Sequence, residues 1–153
     1  MKNFLITASV FIGMVGLSAA FAKDEKMHHE NHHHEMNMMD ARTSLGLSAE
    51  MKQHQLKNMR GHVEAIKSIV GLMAESKFED AAKIAHAKLG LTPEMREMCG
   101  MFDDKNFKTL GLSFHKSGDD LGEALQTGDI NVSLRALDKT MQYCVECHAT
   151  YRQ

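Results

Sequence analysis

The sequence predicts an all-α chain folded as an antiparallel four-helix bundle, and three observations carry that prediction. Apolar residues recur at alternating steps of three and four along four long segments, as in helices that bury one stripe each. Ala, Leu, Met, Glu and Lys are abundant, whereas there is one proline and no tryptophan, a composition that favours helix. No run of four or more residues alternates apolar and polar as a half-buried strand would.

The elements follow in order. Lys2, an uncharged apolar run from Phe4 to Leu17, and the small residues Ala20 and Ala22 before Lys23 make residues 1–22 a secretory signal peptide. Residues 3–22 could also serve as an uncleaved membrane anchor, but the Ala-x-Ala ending favours cleavage. The mature chain is then periplasmic, with no membrane span. Residues 23–46 are a low-complexity tract that contains His28, His29, His32, His33 and His34 among methionines and acidic residues, without helical period. They read as disordered. Imidazole and thioether suit copper, and imidazole also zinc or nickel, so these histidines form a second candidate metal site beside the blander reading of a solubilising tail.

The bundle domain spans residues 47–153. Ser48 is a candidate N-cap for a first helix over 48–75, whose seam is Leu56, Met59, Val63, Ile66, Val70 and Met73. A second helix carries Phe78, Ala81, Ala82, Ile84, Ala85 and Leu89 and stops at Gly90, expected in the left-handed region. Thr92-Pro93-Glu94 opens a short segment with Thr as cap and Pro at the first helical position. Its Met95, Met98 and Met101 fit core packing better than a copper box. The third long helix presents Phe107, Leu110, Phe114, Gly118, Leu121 and Leu125 and ends near Gly128. The last presents Leu134, Leu137, Met141, Cys144, His148 and Tyr151. His86 and His115 fall on the predicted polar faces.

Cys144-Val145-Glu146-Cys147-His148 is the attachment signature of a c-type haem. Thiols at i and i+3 leave the same side of a helix, so both reach one edge of a porphyrin, and the following imidazole is carried under the iron. Half a zinc site is the rival reading, but no second ligand pair with matching spacing exists. A thioredoxin-like redox pair would need a βαβ context, which is missing. With two of the three cysteines used in this way, Cys99 is left as a free thiol or an intermolecular bridge. The formal net charge is −2 and there are no basic patches, so the chain lacks a nucleic-acid footprint.

The ending Cys144-Val145-Glu146-Cys147-His148-Ala149-Thr150-Tyr151-Arg152, on the last of four helices, resembles the cytochrome c′ / cytochrome c-556 family. The resemblance implies an exported bundle with one covalent haem c, His148 as proximal iron ligand, and Arg152 near the propionates. It also implies a residue of the first helix on the other face of the iron: methionine in c-556 types, apolar in cytochromes c′. Met59 is the first candidate there. His62, on the edge of the seam, is a rival; Leu56 could instead cap an open face, and His54 lies off the stripe. Phe107, Leu110 and Phe114 are candidate haem-packing residues. The function expected is single-electron transfer with periplasmic redox partner proteins, without catalysis of its own and with homodimerisation. The alternatives are a five-coordinate NO- or CO-binding cytochrome c′, or a metal-binding protein built on the His/Met tract.

Overall fold

In the computed structural model, which describes residues 40–153, the fold is all-α. The expected signal peptide and His28, His29, His32, His33 and His34 lie outside the described residues. The helices are α1 (Ala49–Ala74), α2 (Phe78–Ile84), α3 (Pro93–Gly100), α4 (Lys105–Gln126) and α5 (Ile130–Thr150). A π-helical segment, Ala85–Leu89, continues α2. Among these helices, none is long and apolar enough to cross a membrane.

Four side chains set the starts. The side chains of Ser48, Thr92, Asp104 and Asp129 accept from the backbone N–H groups of Met51, Met95, Phe107 and Val132 respectively. Each such cap satisfies a donor that the first helical turn leaves free, a contribution of ~1 kcal/mol. The end of α1 is closed by Ser76 at φ 58°, with Lys77 N–H donating to Leu72 O and Ser76 N–H to Met73 O. That is the Schellman pattern, with serine where glycine is usual.

Gly90 departs from expectation. Its φ is −68° and its ψ 165°, an extended rather than left-handed stop. A side chain there would instead collide: a Cβ would lie 2.4 Å from both Asp119 Oδ1 and His86 O. Close approach, not backbone handedness, requires this glycine.

Core and cavity occupy different halves of the same helices. Ala65, Ile69 and Met73 of α1, Ala81, Ala82, Ala85 and Leu89, Phe114, Leu121 and Leu125 of α4, and Leu137 of α5 form the buried apolar cluster. The other halves of α1, α4 and α5, together with α3, surround an open space. The helix α5 packs chiefly on α4, and α1 on α2 and the π segment; α1 and α5 meet across the cavity rather than by extended contact.

Two predicted stripes are rotated. On α1 the buried positions are Gln55, Ala65, Ile69 and Met73, whereas Leu56, Val63 and Val70 are exposed. On α5 they are Ser133, Leu137 and Thr140, with Leu134 and Met141 exposed. On α5 the cause is close contact with α4, which favours small hydroxyl residues. Thr140 Oγ1 donates to Ala136 O at 3.0 Å and lies 3.1 Å from Ser117 O on α4, so its polarity is satisfied in the core.

The chain also contains a short strand pair that the sequence did not suggest. Strands β1 (Thr43–Ser44) and β2 (Tyr151–Arg152) run parallel, Thr43 opposite Tyr151 and Ser44 opposite Arg152. Residues 43–46, grouped from sequence with the low-complexity tract, therefore join the helical body, and α5 ends before Tyr151. Tyr151 is buried, and its hydroxyl donates to the α4 cap Asp104 at 3.2 Å.

Candidate functional site

The open space between the helices is an apolar cavity of ≈ 160 Å³ that opens to solvent at its mouth. From α5 it is lined by Tyr143, Cys144, Cys147 and His148, and from α1 by Asn58, Met59, His62 and Ile66. Phe107, Leu110, Phe114 and His115 of α4 and Met95 and Met98 of α3 also line it, as do the buried Gln55 and the exposed Val63 of α1. The structure thus brings the attachment motif, the candidate second ligand Met59 and all three candidate packing residues to one cavity. It does not bring Leu56, which is 38% exposed and absent from the lining. His54 is exposed, as expected.

The helical run of α5 through Thr150 places the motif. Cys144 and Cys147 are half-buried free thiols one turn apart, and His148 follows at the cavity edge. Burial raises both thiols above the ordinary cysteine value, Cys147 to about 11 with Cys144 and Glu146 adding to the shift. Both are therefore protonated at neutral pH; the pocket does not itself activate them as thiolates. Cys144 Sγ lies 3.9 Å from Thr140 O, the carbonyl one turn back.

Three histidine positions differ from the sequence reading. His115, expected on a polar face, is buried, and its Nδ1 is 2.9 Å from Leu89 O. Burial pushes its pKa down, although the Leu89 carbonyl works in the opposite sense. His62, expected at the seam edge, turns its ring into the cavity, 4.9 Å from Phe114 and 5.5 Å from His115 between centroids. Burial, reinforced by His115, lowers its pKa to about 4, so the imidazole is neutral. His86 is half-buried rather than on an open face, its Nδ1 3.1 Å from Asp119 Oδ1.

The smaller expectations divide. Met95 and Met98 line the cavity, with Asn58 Nδ2 donating to Met98 Sδ at 3.1 Å, but Met101 is 57% exposed and leaves the row. Cys99 is buried at the cavity wall, which opposes an intermolecular bridge without opening of the fold. Arg152 is exposed at the end of β2 and lies outside the lining, its Nε donating to Arg42 O at 3.3 Å. Arg42 Nη1 donates in turn to His148 O at 3.2 Å, so the 40–44 segment ties down the backbone of the motif.

These residues fit a covalently held haem. An apolar cavity takes a flat ring, two thiols on one helical face offer the thioether links, and an imidazole beside them offers an iron ligand. Among the described residues, no three His, Cys, Asp or Glu side chains converge as a zinc site requires. No family model, curated protein or solved structure matches the chain.

Proposed function

We propose that this chain is an exported mono-haem c-type cytochrome that transfers single electrons between periplasmic redox proteins. Its architecture on this reading is an antiparallel four-helix bundle of α1, α2 with its π extension, α4 and α5, and the haem lies beside α5. One observation carries the reading: Cys144, Cys147 and His148 share an apolar cavity with Met59 and His62 of α1 and with Phe107, Leu110 and Phe114 of α4.

When bound, the haem supplies reversible one-electron exchange at its iron. The chain does the rest. Cys144 and Cys147 would tether the ring, and His148, its backbone held by Arg42, would offer its imidazole to the iron. On α1, Met59, the ligand expected from sequence, and His62 both line the cavity, and either would offer the iron a second ligand. The apolar lining keeps water from the ring and so helps set the potential. Arg152 keeps its terminal nitrogens without a partner among the described residues, available for the propionates named by the family resemblance. The exposed row Leu56, Val63 and Val70, spaced by seven, suits a homodimer contact on α1.

Optical spectra of the oxidised and reduced holoprotein, followed by carbon monoxide addition, test this function. The expected result is a low-spin haem that is slow to bind the gas; immediate and complete binding would overturn electron transfer in favour of a gas-binding role.

A further inference from the structure

His62 has polar atoms at the cavity that the protein leaves unused. His62 makes no side-chain hydrogen bond to any described residue, although its ring is mostly enclosed between Phe114, His115 and the cavity. Among the described residues, every fully enclosed side-chain nitrogen or oxygen has a partner. The unbonded nitrogens of His62 are therefore not sealed off, and the residue lines the cavity.

Its neighbours differ in this respect. His115 is anchored through Nδ1 to Leu89 O, an acceptor only, so its proton resides on Nδ1 and only Nε2 is left without a partner. Met98 is contacted by Asn58. Met59 is a thioether in an apolar wall, an environment that asks for no hydrogen-bond partner. At His62 a group that fills the cavity can supply the partner that the protein does not. The ring is also restrained, tilted 47° against Phe114 and edge-on to His115 at 76°. A restrained imidazole that presents a lone pair is a preorganised iron ligand.

We infer that His62, rather than Met59, supplies the second axial ligand, which makes the centre a bis-histidine haem closed to exogenous gases. The inference rests on the haem reading above. It changes what the protein is suited for: two imidazoles favour ferric iron more than an imidazole–thioether pair does, so the potential falls relative to a methionine-ligated centre.

The test uses wild-type holoprotein, Met59→Leu and His62→Ala, each first checked by intact mass for one attached haem. Wild type and Met59→Leu should both be low-spin, and the ferric wild type should lack the far-red band of thioether ligation. His62→Ala should become high-spin, bind carbon monoxide at once when reduced, and regain the low-spin spectrum when free imidazole is added. A thioether band in the wild type would overturn the inference. So would a high-spin wild type, or a Met59→Leu variant that turns high-spin while His62→Ala stays low-spin. Should His62→Ala fail to fold, the wild-type spectrum alone decides, since the thioether band needs no variant. A wild-type polypeptide that carries no haem would overturn the haem reading itself, an outcome that mass distinguishes from the others.

Discussion

Replacing Gly118 by alanine tests the tightest contact in the fold, where α4 lies against the π segment. A Cβ at this position would sit 2.4 Å from Leu89 O and 2.5 Å from Leu89 C, and both are backbone atoms that no rotamer change can move. Ordinary contact begins at 3.4 Å, so the two elements must separate by about an ångström. The same Leu89 carbonyl accepts from His115 Nδ1, and the shift would strain that bond as well. Overpacking costs roughly 1–3 kcal/mol and a lost hydrogen bond about 0.5–1.5, against a helix-propensity gain of about 1 for Gly→Ala, leaving a net loss of about 2 kcal/mol. Gly71 is the control: it lies in exposed α1 with nothing within 4 Å of its notional Cβ. Gly71→Ala should gain up to about 1 kcal/mol from propensity alone. Urea unfolding with a slope of about 1–3 kcal/mol/M would then separate the two variants by about 1–3 M in midpoint. Equal midpoints at equal slope would refute the close-approach argument.

Two further outcomes follow from packing and charge. Leu137→Ala, in the buried cluster, should lose about 2–5 kcal/mol, whereas Leu134→Ala, 48% exposed, should change stability by no more than about 0.5 kcal/mol; chemical denaturation checks both, and a comparably large loss at Leu134 would restore the stripe expected from sequence. Asp119 is held below its usual carboxyl range: burial alone would raise it, but the Leu91 N–H and His86 outweigh burial. Its folded pKa is therefore below its unfolded one, the unfolded chain takes up the proton first, and the stability it contributes is present at neutral pH and lost on acidification through that depressed range. Asp119→Asn should accordingly be less stable than wild type at neutral pH and converge with it in acid, as thermal melts across pH would show.

Much of the local structure was legible in the residues. Ser48 and Thr92-Pro93 mark helix starts because their side chains have few better uses than to accept a free N–H, and both do so. The motif at Cys144, Cys147 and His148 could be read because its chemistry depends on spacing along one helix, which α5 preserves. The facing of the helices was less legible. Periodicity weights large apolar side chains, so it selected Leu56, Val63, Leu134 and Met141, whereas the structure buries Gln55, Ser133 and Thr140. Ser133 and Thr140 enter the core because carbonyls one turn back or across the contact satisfy their hydroxyls. His115 was missed for a similar reason: its partner, Leu89 O, is distant in sequence and reaches it only because Gly118 lacks a side chain. The His62 position follows from the same rotation, one residue away from the predicted seam. The parallel pairing of Thr43–Ser44 with Tyr151–Arg152 is too short to leave any alternation to read.

The most direct measurement of the central claim is the intact mass of the protein after expression in a host that matures c-type cytochromes. The account predicts that the mass exceeds that of the polypeptide by one haem, and that the excess withstands acid–organic extraction and is lost when Cys144 and Cys147 are both replaced by alanine. Bare polypeptide from wild-type material, or haem that extraction removes, would contradict it.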